Sequence, residues 1–221
     1  MSIKINQNTV VVFDLDDTLY KEIDFLKSAF REIARSVDLK QSTELFLKMF
    51  SKYRNKENAF DFVSTIYRVD KKSLIEKYRS HVPQIELSLG AFDLIKSIRD
   101  KGGKMAIITD GRKITQMNKV KQLNIVDFFE MICISEEIGA EKPNQDAFLL
   151  VENNFGSEFN YIYIGDNMKK DFIAPNKLGW ESVYLEDNGL NIHNNNFDYI
   201  DVELNKPTYI IKSLTELICN D

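Results

Sequence analysis

The chain of 221 residues is long enough for one large domain or a core with a smaller insert, and its formal net charge of −5 argues against a surface built for nucleic acid or an anionic membrane. Two cysteines and two histidines supply neither a disulfide framework nor a zinc site, so any metal must be held by oxygen, as Mg²⁺ or a similar hard cation is. No segment is apolar over the roughly 18 residues that a membrane helix needs, and residues 1–8 lack a signal-peptide hydrophobic stretch, so a soluble, cytoplasmic protein with no membrane partner is expected.

Val10 to Phe13 is a β-branched and aromatic run without polar interruption, the pattern of a buried strand. It leads into Asp14-Leu15-Asp16-Asp17-Thr18. The two-residue side-chain period sends Asp14 and Asp16 to one side of the strand's carboxyl end, where open α/β sheets bind ligands. Two carboxylates held together repel, so they must share a metal ion or a proton.

From Tyr20 to about Ser88 the pattern changes to amphipathic helices. Ile23, Leu26, Phe30, Ile33 and Val37 form one stripe and Leu45, Phe46, Met49, Phe50 and Tyr53 another; Phe60, Val63, Ile66 and Tyr67, then Leu74, Ile75 and Tyr78, continue it. Such a block is large enough for a small helical bundle. Leu89, Phe92, Ile95 and Ile98 predict a helix stopped by Gly102-Gly103.

Strand patterns return at Lys104 to Ile108, Met131 to Ile134, Tyr161 to Ile164 and Ser182 to Leu185, with Tyr209 to Ile211 as a further segment. A helical stripe of Ile114, Met117, Val120 and Leu123 alternates with them, as does one of Ala147, Phe148, Val151 and Phe155, whose first turn Pro143 is expected to fix. The rhythm is that of an α/β fold, a parallel sheet covered by helices on both faces. Asn188 to Asn196 reads as a surface connection, and Leu214, Leu217 and Ile218 as a stripe closing the core. The expected division is a core of residues 1–19 and 89–221 with a helical insert of residues 20–88, which enters beside Asp14 and Asp16 and lies over them as a lid.

Polar clusters follow four of the strands, and all would emerge on one sheet edge. Asp14 suits a metal ligand or a nucleophile that forms an acyl phosphate. Asp16 could give a proton to a leaving oxygen and later take one from water, provided its carboxyl group stays off the metal. Thr109 and the N–H groups of Asp110 and Gly111 could hold an anion at the next helix entrance. Lys142, before Pro143, supplies positive charge for phosphate oxygens. Gly165 permits close backbone approach, Asp166 is a second carboxylate for the cation, and Asp171 could orient water or Lys142.

Together these motifs resemble the haloacid dehalogenase superfamily. Asp14-Leu15-Asp16-Asp17-Thr18 is similar to its DxDxT motif, Thr109-Asp110-Gly111 to the second, Lys142-Pro143 to the third, and Gly165-Asp166 with Asp171 to the fourth. The resemblance implies a Rossmann-like core with a helical cap between the first two motifs. It implies Asp14 as nucleophile and Mg²⁺ ligand, and Asp16 as general acid/base contributing its carbonyl to the ion. Thr109 and Lys142 would bind the phosphoryl group, Asp166 would complete the metal ligands, and Asp171 would support the metal shell or Lys142. Asp110 stands where many similar members have Asn, and a carboxylate facing phosphate would repel it, so its side chain is expected to point away.

The implied activity is Mg²⁺-dependent hydrolysis of a small phosphate monoester, with a nucleotide and a sugar phosphate both compatible. Asp16 argues against dehalogenation, and Asp17-Thr18 departs from the DxDG pattern of related sugar phosphomutases. A phosphomutase and a catalytically silent phosphate-binding or protein-interaction module are the alternatives. Phe30, Phe46, Phe50, Tyr53, Phe60 and Phe62 fit the insert's core better than a base-stacking role. Tyr20, Glu22, Arg79 and His81 are the candidates for lid or hinge, with His81 fitting a structural role. Arg54 and Lys56 suit a second substrate charge or a solvated face.

Overall fold

The computed structural model describes residues 1–193, 196–199 and 202–220. Its centre is a parallel sheet of six strands: β2 (Thr9–Phe13), β3 (Lys104–Thr109), β4 (Met131–Ile134), β5 (Asn160–Gly165), β6 (Glu181–Leu185) and β7 (Tyr209–Ile211). The spatial order is β4-β3-β2-β5-β6-β7, which places β2 between β3 and β5. Side-chain alternation along β2 fills both faces: Val11 and Phe13 join a cluster with Ile95, Ile98 and Leu214, and Val10 and Val12 join one with Phe148 and Val151. A second, two-stranded parallel sheet pairs β1 (Ser2–Lys4) with β8 (Ile218–Asn220), a contact between the chain ends that local pattern did not announce.

Helices α1 (Glu22–Val37), α2 (Ser42–Arg54), α3 (Ala59–Tyr67) and α4 (Lys71–Ser80) follow β2. They bury a hydrophobic cluster of their own, including Ile33, Leu45, Met49, Val63 and Leu74. The two connections to this block run side by side: Tyr20 bridges Leu87, and the Ser88 N–H donates to the Leu19 carbonyl at 2.8 Å. No described helix is long and apolar enough to cross a membrane.

Several expected stripes turn differently. In α5 (Ala91–Asp100) the buried face is Ala91, Leu94, Ile95 and Ile98, while Leu89 is 81% and Phe92 48% exposed. Gly90 sets that start, with φ +82° and a missing Cβ that would lie 2.6 Å from Thr215 Cγ2. Ile218 is exposed because it belongs to β8, where alternation sends Cys219 inward instead. Pro143 lies ahead of α8 (Asp146–Phe155) and outside it, so it does not fix the helix's first turn.

The largest departure is α6 (Lys113–Gln122). Ile114 is exposed, and Thr115, Gln116 and Lys119 are buried beside Val120. This helix turns a polar face inward because that face borders the carboxyl end of the sheet, where it finds charged partners.

Candidate active site

Asp14 lies just beyond β2, its N–H donating to the Ile164 carbonyl at 2.8 Å, so the sheet ladder itself fixes its place. Its Oδ1 lies 2.6 Å from Lys142 Nζ, which also reaches Asp171 Oδ1 at 2.8 Å and the Tyr163 hydroxyl at 3.0 Å. Ligand oxygens of Asp14, Asp166 and Asp171 all lie within 4.8 Å of one another. Gly165 makes that approach possible, since a Cβ there would stand 2.5 Å from Asp171 Oδ2. Burial, with repulsion from Asp171 and despite Lys142, pushes the Asp14 carboxyl up to about 7. Burial and the charges of Asp14 and Asp171 raise Asp166 well above the carboxylate range.

Lys142 is buried against two carboxylates and holds its proton despite desolvation. Removing one side of such a buried ionic cluster leaves uncompensated charge. Lys142→Met should therefore cost the metal-free protein about 3–5 kcal/mol, measured by urea denaturation, and equal stability of the two proteins would contradict the geometry.

Asp16 points away from this group. Lys119 Nζ lies 2.6 Å from its Oδ1, the Gln116 amide donates to its Oδ2 at 2.8 Å, and the Tyr20 hydroxyl donates to Oδ1. Burial opposes ionisation, but Lys119 and these hydrogen bonds outweigh it and hold Asp16 below the usual carboxylate range. Neither Gln116 nor Lys119 was among the expected site residues. Their signal was a lysine and a glutamine three positions apart beside Val120, on a helix facing the sheet edge.

Asp110 was expected to face away, yet it lines the same cavity as Asp14 and Asp166. Lys170 Nζ neutralises it at 2.8 Å, and it accepts from the Lys142 N–H at 3.1 Å. Thr109 Oγ1 accepts from Gln116 at 2.5 Å. The Gly111 N–H, expected to face an anion, donates to Ser135 Oγ at 2.9 Å. Segment 188–196 is more than a surface connection, although residues 194 and 195 lie outside the described residues. The Asp187 carboxylate accepts from the N–H groups of Gly189, Leu190 and Asn191 and turns the chain back. Asn191 then donates to Asp166 Oδ2 at 2.8 Å, and the Ile192 N–H to Asp17 Oδ2 at 2.9 Å.

The cavity over these groups measures about 260 Å³ and is bordered by Asp14, Asp16, Glu22, Asp110, Asp166 and Lys170. A larger one of about 590 Å³ lies against Thr9 and Asn160, at the opposite end of β2 and β5, and holds none of the motif residues. Of the lid or hinge candidates, Glu22 lines the 260 Å³ cavity beside Asp14 and Asp16, and burial with repulsion from Asp16 pushes it up to about 8. Tyr20 is buried in the paired connections. Arg79 is exposed, and its carbonyl accepts from the Thr115 hydroxyl. His81 is buried between Ser28, at 2.7 Å, and Glu32, and so ties α1 to the end of α4. Arg54 and Lys56 are exposed.

An acidic cluster paired with a buried lysine thus stands at the carboxyl edge of a parallel sheet, where α/β enzymes hold their ligands. Residues 11–185 match the family described as haloacid dehalogenase-like hydrolases. The chain belongs to that family. It is 25% identical to the glyceraldehyde 3-phosphate phosphatase of Methanopyrus kandleri, over 94% of this chain and 97% of that one. It is also 25% identical to the ribulose-1,5-bisphosphate 5-phosphatase of Halopiger xanaduensis, over 80% of this chain and 84% of that one. A structure of the HAD-hydrolase YfnB of Bacillus subtilis, bound to magnesium, shares the fold with a TM-score of 0.64 and 21% identity, covering 96% of this chain and 97% of that chain.

Proposed function

We propose that the protein is a Mg²⁺-dependent phosphatase of small phosphate monoesters, with Asp14 as nucleophile and Asp16 as general acid/base. The observation that carries this is the division between two carboxylates two residues apart: Asp14 faces Lys142, Asp166 and Asp171, and Asp16 is turned to Lys119 and Gln116. The donors around Asp14 fit a hard cation, since they are carboxylate oxygens whose mutual repulsion a divalent ion relieves. Asp14 and Asp166 would hold Mg²⁺ with the Asp16 carbonyl. Asp171 has one oxygen on Lys142 and accepts the Asn167 N–H with the other, so it supports Lys142. When bound, the ion draws charge from the phosphoryl oxygens.

Asp14 attacks phosphorus as the bond to the ester oxygen breaks, and Asp16, reacting through the fraction that carries a proton, gives that proton to the departing oxygen. Asp16 then takes a proton from the water that cleaves the aspartyl phosphate, which returns both carboxylates to their first state. Lys142 stabilises the charge on the transferring group, with Thr109 beside it. Residues 20–88 act as the cap, and closure over the cavity excludes water.

Specificity falls to the cap. Glu22 enters the catalytic cavity, and one and two turns further along the same face of α1, Leu26 and Phe30 line a second cavity of about 250 Å³ with Tyr53, Phe60 and Tyr78. This cavity would receive the far end of the leaving group.

Phosphate release from a panel of nucleoside monophosphates and short sugar phosphates, with and without Mg²⁺, tests the assignment. Asp16→Asn should lose about 10²–10⁴ in kcat/KM on alkyl esters. Absence of phosphate release across the panel would overturn it.

A further inference from the structure

Both oxygens of Asp16 are taken by side chains that no motif supplies. Lys119 is only 3% exposed. Burying an ammonium is costly unless it is paired, and here its partners are Asp16 and the ring faces of Phe25 and Tyr20, 4.6 and 5.7 Å from Nζ. Gln116 is fixed in turn: its amide also donates to Thr109 Oγ1 at 2.5 Å, and its side chain packs on Gly111, where a Cβ would stand 3.2 Å from Gln116 Cδ. The clamp on Asp16 is thus continuous with the end of β3.

A carboxylate two residues from Asp14 has a competing destination. A divalent cation at Asp14 and Asp166 would draw it in as a ligand, and a ligated carboxylate is lost to proton transfer. Resting on the phosphatase reading, we propose that Lys119 and Gln116 are positioning residues, which supply the rival attraction that holds the Asp16 carboxyl group off the metal and on the leaving-group side. The helix that bears them is anchored to the end of the helical block. The Thr115 hydroxyl donates to the Arg79 carbonyl at 2.8 Å, and the Asn118 amide to the carbonyls of Ser80 and His81, each at 3.1 Å. The clamp is therefore tied to the end of α4.

The test compares two monoesters of similar size at saturating Mg²⁺: p-nitrophenyl phosphate, whose leaving group departs without a proton, and a primary alkyl phosphate, whose alkoxide requires one. The readout is kcat/KM, which reports the steps up to departure of the alcohol. Lys119→Met should lose about 10²–10⁴-fold on the alkyl ester and less than about tenfold on p-nitrophenyl phosphate. Gln116→Leu should lose in the same direction by less, and Lys119→Arg should recover part of the alkyl activity. Equal losses on the two esters, or no loss, would overturn the proposal. If Lys119→Met does not fold, Gln116→Leu and Lys119→Arg decide the matter by the same ratio. A wild type that hydrolyses neither ester counts against the phosphatase reading, whereas an active wild type with uniform losses in the variants counts against the positioning role alone.

Discussion

Asp14→Asn should lower phosphate release at least about 10⁴-fold while leaving the fold intact. An amide does not attack phosphorus, and the neighbouring carboxylates are engaged elsewhere: Asp16 is clamped by Lys119 and Gln116, Asp171 is bound to Lys142, Asp166 accepts from Asn191, and Asp110 pairs with Lys170. The fold should tolerate the change because Lys142 keeps Asp171 as a partner at 2.8 Å. Burial already works against the Asp14 charge, pushing its carboxyl up to about 7, so above that pH the ionised group opposes folding of the metal-free protein. The variant should therefore melt no lower than wild type without metal, and should lose most of the stabilisation that Mg²⁺ brings. Phosphate-release assays and calorimetry on the same samples separate the two effects, and a variant with full activity would remove Asp14 from the mechanism.

Mg²⁺ should raise the melting temperature by about 5–10 °C at a concentration one hundred times its dissociation constant, because such binding adds about 2.7 kcal/mol and a chain of this size gains about 2–4 °C per kcal/mol. Chelation should abolish turnover. The effect should also grow with pH, and the sign follows from the raised carboxyls. Asp14 is pushed up to about 7, Asp17 to about 6 and Glu22 to about 8, each chiefly by burial. Between about pH 4 and pH 8 the folded protein thus holds protons that the unfolded chain has released, and metal-free stability falls as pH rises. Mg²⁺ favours the ionised form of Asp14 and Asp166. The gap between the two melting curves should widen from pH 5 to pH 8, and a gap that narrows would argue against a metal at these carboxylates.

The apolar runs were legible because burial on both faces leaves no room for polar residues, and each of the expected strands is present in the sheet. Their parallel order brings Asp14, Asp110, Lys142 and Asp166 to one edge, as strand-end position alone suggested. Helix faces were less legible. Phe92 and Ile114 fit helical spacing, but Ala91 and Thr115 were the residues turned inward. Periodicity finds a stripe and says nothing of which neighbour the stripe meets.

What the sequence determined by itself was the parallel α/β core and the motif residues, since both follow from short-range pattern: an apolar strand of period two, then a polar turn at its end. Tertiary structure alone decided the electrostatic pairing. Lys119 meets Asp16, Lys170 meets Asp110, and Asn191 meets Asp166, each across a long stretch of chain. A buried charge accepts whichever opposite charge or donor the fold brings within about 3 Å. That partner is set by how helices and loops pack on the sheet edge, which no local pattern encodes.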